Sequence, residues 1–123
     1  MKDSFERFVE NCKKSIKYDP WVEERGFEGY VDEMHREIEE VKEAVEKGDL
    51  ENLKEELGDV LLDWLHTVLL ASQKYNFDEK EIIENVSEKL NRRKPYIAQE
   101  RVVSKIDSKI MWQDAKRWEK SIR

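Results

Sequence analysis

Four carboxylates in two i,i+3 pairs carry the chemistry suggested by this sequence. They are Glu37 with Glu40, in EIEE, and Glu56 with Asp59, in ELGD. Residues three apart on an α-helix lie about 60° apart around its axis, so each pair projects from one face. A Gly48-Asp49 break separates the pairs. A short break of this kind lets one helix fold back antiparallel on the other, so that the four carboxylates converge between them. Such a site suits a hard divalent cation, which takes oxygen ligands.

The surroundings of the second pair strengthen this reading. Glu56 and Asp59 are interleaved with Leu57, Val60, Leu61, Leu62, Trp64 and Leu65, and Asp63 follows Asp59 on the same stripe. A buried carboxylate is costly unless it is paired or bound to a metal. Asp63 reads either as a further ligand, as a group steadying the ligands, or as a hydrogen-bonded core residue. Glu55 adjoins Glu56 and stacks with Asp59, so it could also steady the site. Glu39, Glu43, Glu46 and Glu51 read as solubilising charges on outer faces. The alternative for the whole cluster is a pair of solvated helix faces.

The elements that must position these groups are helical. The chain has 123 residues, 42% charged and 38% hydrophobic, with only four Gly and two Pro. That composition fits one all-α domain over residues 1–123, with charged outer faces. Phe5, Phe8, Val9, Cys12 and Ile16 predict a first helix over residues 3–17. Tyr18 to Gly29 reads as a connection pinned by Trp21 and Phe27. A second helix is expected over 30–47, with Val31, Met34, Ile38, Val41 and Val45 inward. Gly48 is its C′ residue, and Asp49 caps a third helix over about 50–75. Asp78 and Glu81 have capping-box spacing at the start of a fourth helix. Pro95 stops that helix after Lys89, Arg92, Arg93 and Lys94. Beyond a less regular stretch, a last helix spans about 107–121, with Ile110, Met111, Ala115, Trp118 and Ile122 inward.

Several classes are disfavoured. The net charge of −6 argues against a general nucleic-acid surface. No apolar run approaches a membrane span. The single Cys12 allows no intramolecular disulfide and fits a reducing compartment, so a cytoplasmic location is expected. Lys89 and Arg93, four apart, could hold phosphate oxygens, or they could simply complement the helix dipole. Trp118 could stack on a base or fill the core. Asp32-x-x-His35 and Asp63-x-x-His66 raise a di-iron carboxylate bundle as a rival, although His35 faces away from Glu37. A non-catalytic helical interaction module is a third class.

In order along the chain, these landmarks resemble the MazG family of nucleoside triphosphate pyrophosphohydrolases. Glu37-Ile38-Glu39-Glu40 and Glu56-Leu57-Gly58-Asp59 match its ExxE and ExxD phrases. Lys89-Leu90-Asn91-Arg92-Arg93-Lys94-Pro95 matches K-L-x-R-R-x-P, and Arg117-Trp118-Glu119 matches R-W-E. Pro20-Trp21 resembles C-P-W, with Asp19 in place of the Cys. Lys94-Pro95-Tyr96 stands where two-domain bacterial members have His-Pro-His. The resemblance, over residues 19–119, implies a four-helix-type bundle with an additional C-terminal helix. It also implies hydrolysis of an NTP or dNTP to the monophosphate and pyrophosphate. Mg²⁺, with Mn²⁺ as a substitute, would bridge Glu37, Glu40, Glu56 and Asp59 to the phosphates, and Glu37 or Glu40 would act as general base. Lys89, Arg93 and Trp118 would bind the substrate. The apolar run over 57–71 together with the resemblance implies a homodimer or a dimer of dimers.

Overall fold

A computed structural model describes all of residues 1–123, and it is helical throughout, without strands. The chain forms two compact units, Met1–Glu79 and Lys80–Arg123. The first holds α1 (Lys2–Tyr18), α2 (Pro20–Lys47) and α3 (Leu50–Lys74). Most of α4 (Glu79–Arg93), with the short α5 (Pro95–Ala98) and α6 (Lys105–Ser121), belongs to the second.

In the first unit, α2 and α3 pack most extensively, and α1 lies against α3. The turn between α2 and α3 is as short as its sequence allows. Gly48 takes a left-handed φ of 67° as C-cap, and the Asp49 side chain accepts from the Asn52 N–H at 3.1 Å. The apolar centre is Cys12, Leu65 and Leu69, covered by Phe8, Val9, Ile16 and Trp64. Burial raises the Cys12 thiol to about 11, which keeps it neutral at physiological pH.

The expected connection over 18–29 is mostly helical instead. Asp19 accepts from the Trp21 N–H at 3.0 Å, and Pro20 sits in the first turn, where its missing N–H costs nothing. The Asp-Pro pair therefore starts a helix. The break comes at Gly26, whose φ of 69° and ψ of 179° kink α2, while Gly29 stays helical. Trp21 and Phe27 do not pin this segment. Trp21 is 71% exposed, and Val22, at 1%, makes the anchor.

The inward faces of α2 and α6 also differ from expectation. Ile38 and Val45 are exposed, whereas Tyr30 and Ala44 are buried and Glu33 and Glu37 are half-buried. The polar stripe of α2 thus faces α3. On α6, Ser108, Met111, Ala115 and Glu119 form the covered stripe, and Ile110, Trp118 and Ile122 are exposed. No helix is long and apolar enough to cross a membrane.

The backbone at Gly26 lies in a region open almost only to glycine. Gly26→Ala should destabilise the protein by about 1–3 kcal/mol. Gly58 is helical and a Cβ there meets nothing within 4 Å. Gly58→Ala should therefore be neutral or stabilise by up to about 1 kcal/mol. Denaturant unfolding of both variants checks the contrast.

Candidate metal centre

Residues rising along α2 meet residues falling along α3. At one end, Tyr30 stacks on His66 with ring centroids 4.9 Å apart. One turn on, Glu33 lies in the electrostatic neighbourhood of Asp63. Next, Glu37, Glu56 and Asp59 offer carboxylate oxygens that all lie within 4.8 Å of one another. Glu40 closes the series, within hydrogen-bonding reach of both Glu37 and Glu56. The two predicted pairs do converge, but Glu40 is an exposed member at the rim. Glu55 is exposed and takes no part in the close cluster.

The electrostatics follow from like charges held together. Sharing a hydrogen bond with Glu56, burial, and the proximity of Glu40 push the Glu37 carboxyl up to about 8. For Glu56, the bond to Glu37 pulls downward, but the bond to Glu40, burial and the charges of Glu40 and Asp59 outweigh it, so it too is raised. Burial, then the charges of Glu33 and Asp59, raise Asp63 to about 6 against the opposing pull of Arg25 and Arg36. Glu37 Oε2, Glu56 Oε2 and Asp63 Oδ2 are buried without hydrogen-bond partners. Three close carboxylates with two orphaned oxygens fit a hard cation.

His66 does not fit a di-iron site. Both ring nitrogens are engaged, Nδ1 with the Leu62 carbonyl at 2.9 Å and Nε2 with Ser15 Oγ at 3.0 Å, and the ring is buried under Tyr30. His35 is exposed. Asp63 is buried, yet its carboxylate is not hydrogen-bonded through Oδ2 as a purely structural residue's would be.

Residues 25–98 match the family described as the MazG nucleotide pyrophosphohydrolase domain. This chain belongs to the MazG family. It is 31% identical to the Bacillus subtilis (strain 168) protein YabN, over 83% of this chain and 21% of that one. It is 32% identical to a nucleoside triphosphate pyrophosphohydrolase of Escherichia coli (strain K12), over 63% of this chain and 30% of that one. The chain therefore spans roughly a fifth to a third of the length of such curated relatives. A crystal structure of a mazG-related protein from Thermotoga maritima matches with a TM-score of 0.86 and 37% identity, covering 91% of this chain and 98% of that one.

In this MazG chain the two downstream phrases pair with each other. Arg93 Nη2 donates to Glu119 Oε1 at 2.9 Å and its Nε to Oε2 at 3.3 Å, while Arg92 Nε donates to Oε2 at 2.9 Å. Those two guanidiniums, Arg93 first, hold the Glu119 carboxyl down at about 2. Arg93 is thus engaged by a carboxylate, whereas Lys89 is exposed. Arg92 sits 5.8 Å from the Trp118 ring, which is 53% exposed. An aromatic that the helical pattern did not single out is Trp112, with Arg93 at 5.7 Å and Lys116 at 4.4 Å from its ring. It lines a cavity of about 540 Å³ with Lys94, Tyr96, Lys105, Ser108 and Lys109. The Trp112-x-x-x-Lys116 spacing was the available signal, since residues four apart meet on a helix.

Raised carboxyls make a pH prediction for the metal-free protein. The folded state holds protons that the unfolded state releases, so the stabilisation is complete below the ordinary carboxyl pKa near 4.5 and is lost as pH rises through about 8. In EDTA, the melting temperature should fall between these limits, and Glu37→Gln should flatten the fall. Melting curves across that window provide the measurement.

Proposed function

We propose that this chain hydrolyses nucleoside triphosphates, ribo or deoxy and standard or modified, to the monophosphate and pyrophosphate, with Mg²⁺ as cofactor and Mn²⁺ able to replace it. The carrying observation is the set of Glu37, Glu56 and Asp59 oxygens within 4.8 Å, two of the carboxylates with an orphaned buried oxygen. The printed activity of the Escherichia coli relative supports the same reaction.

Glu37, Glu40, Glu56 and Asp59 would hold the ion. When bound, Mg²⁺ supplies Lewis acidity and neutralises charge on the polyphosphate. The general base comes from the Glu37/Glu40 pair. Glu40 lies at the exposed rim and outside the tightest cluster, so it keeps lone pairs available to take a proton from the attacking water. Lys89 and Arg93 are assigned to the phosphates, with Arg93 exchanging Glu119 for substrate oxygens. Trp118 offers an exposed face for a base. Asp63 and Glu55 flank the ligands. The substrate is a free nucleotide rather than a nucleic-acid polymer, in keeping with the net charge of −6.

A homodimer, or a dimer of dimers, accounts for the apolar side chains left outside on α2 and α3. Ile38, Val45, Leu50, Leu57, Leu61 and Leu62 are all exposed. Burying such a surface contributes roughly 25 cal/mol per Å² before association costs. The proposed location is the cytoplasm. Sedimentation equilibrium should return twice or four times the 14.9 kDa chain mass, and Leu57→Glu with Leu61→Glu should shift it toward the monomer.

Glu56→Gln and Asp59→Asn should each reduce pyrophosphate release by at least about a hundredfold, since several kcal/mol of charge stabilisation depend on the ion. In EDTA, both variants should be as stable as the parent or more so, because repulsion has been removed. Mg²⁺ should raise the parent's melting temperature more than theirs. Full activity with an unchanged Mg²⁺ response would remove these residues from a metal site.

A further inference from the structure

Asp63 is a buried polar group of the first unit whose demand no neighbour meets. It is 4% exposed and its Oδ2 has no hydrogen-bond partner. Thr67 Oγ1 donates to its backbone carbonyl at 2.7 Å, not to its carboxylate. His66, three residues along the same helix and equally buried, is satisfied at both nitrogens. A buried orphan in a native fold calls for a specific explanation.

The surroundings of Asp63 supply one. Its charged neighbours are Glu33, Arg25, Asp59 and Arg36. Asp59 belongs to the carboxylate cluster. The other three line a cavity of about 470 Å³ together with Trp21, Gly29 and Asp32. This cavity lies next to the cluster, because its Glu33 is within hydrogen-bonding reach of Glu37. Trp21 presents an indole to it that is 71% exposed, although a Trp is ordinarily among the largest contributors to burial. Arg25 reaches back over the Tyr30 ring at 5.1 Å and passes Gly29 so closely that a Cβ there would lie 2.5 Å from Arg25 Cγ.

We propose that Asp63 is a specificity-determining residue, whose carboxylate accepts a hydrogen bond from an N–H or O–H of the substrate's nucleoside moiety, seated in this cavity beside Trp21. The inference rests on the hydrolase reading above. Two guanidiniums beside Asp63 disfavour a second cation at that point. An ionised carboxylate only accepts, so its ligand partner must donate. The ionised polyphosphate has no donor to offer, which leaves the base edge or the sugar hydroxyls. Trp21 supplies a face on which any base can stack, and Asp63 then discriminates by the donor it finds.

The test uses the whole chain with Mg²⁺ and calorimetric binding of non-hydrolysable nucleoside triphosphate analogues, beside inorganic tripolyphosphate, which has no nucleoside. A panel of four bases with ribose, 2′-deoxyribose and 3′-deoxyribose separates base from sugar as the source of the donor. Asp63→Asn should weaken the preferred analogue by about ten- to a hundredfold, the range of a charged hydrogen bond, and compress the ranking of the panel. Its tripolyphosphate affinity should stay within about twofold of the parent's. Equal weakening of tripolyphosphate, or an unchanged ranking, overturns the proposal. Trp21→Ala, on the exposed turn, reads the same cavity independently of folding at position 63. It should weaken nucleotides and spare tripolyphosphate, and nucleotide binding unchanged in that variant also overturns the proposal. A parent that binds neither nucleotide nor tripolyphosphate with Mg²⁺ marks failure of the hydrolase reading itself.

Discussion

Two antiparallel helices meet in this chain along their acidic faces, and the rest of the first unit is arranged to tolerate that contact. Like unit charges about 4 Å apart repel by about 4 kcal/mol at an effective dielectric of 20, a large term beside the stability of a small domain. Protonation relieves part of it, as the raised Glu37, Glu56 and Asp63 carboxyls record. Attraction elsewhere must supply the remainder. The stacked Tyr30 and His66 close one end of the interface, the Gly48-Asp49 turn closes the other, and α1 packs Cys12 against Leu65 and Leu69 from behind. The carboxylates are held together from outside the groove rather than by one another.

Turning an acidic stripe inward has a consequence on the opposite faces. Ile38 and Val45 on α2, and Leu57, Leu61 and Leu62 on α3, are left in solvent. Apolar residues scattered singly on a surface need no explanation, but several large ones on two adjoining helices do. A cation-binding groove between two helices spends the faces that would ordinarily form a core, so a second apolar contact is required. The proposed self-association follows from the same constraint as the metal site. The second unit solves a smaller problem with charge, where Glu119 ties Arg92 and Arg93 of α4 to α6 in a fork geometry that matches guanidinium to carboxylate.

Much of this was legible in the chain because the decisive signals are local. The i,i+3 spacing of Glu56 and Asp59 and the Gly48-Asp49 break fix facing pairs without reference to distant residues. The four phrases shared with the MazG family lie within or between single helices. What failed were inferences that assumed apolar residues point inward. Ile38 and Val45 on α2, and Trp118 on α6, obey helical periodicity but lie on outer faces. Periodicity defines a stripe and cannot say which stripe a partner helix covers. Asp19-Pro20 was misread because the same dipeptide suits a turn and a helix start, and only the Asp19 bond to the Trp21 N–H distinguishes them. The Arg93–Glu119 pair spans 26 residues, beyond any local pattern.

The three orphaned oxygens divide the groove into chemically distinct parts. Glu37 Oε2 and Glu56 Oε2 belong to carboxylates that already crowd one another, so a cation answers both at once. Asp63 Oδ2 lies one turn away, among two guanidiniums and a carboxylate, where added positive charge is least favoured. A single occupant meeting both demands must therefore be polar in two senses, an anion that brings a cation at one end and a hydrogen-bond donor at the other. A metal-chelated nucleotide has that form, and neither free pyrophosphate nor a bare metal ion does. The unmet polar groups thus describe a ligand longer than the metal site itself, running along the α2–α3 seam toward Trp21.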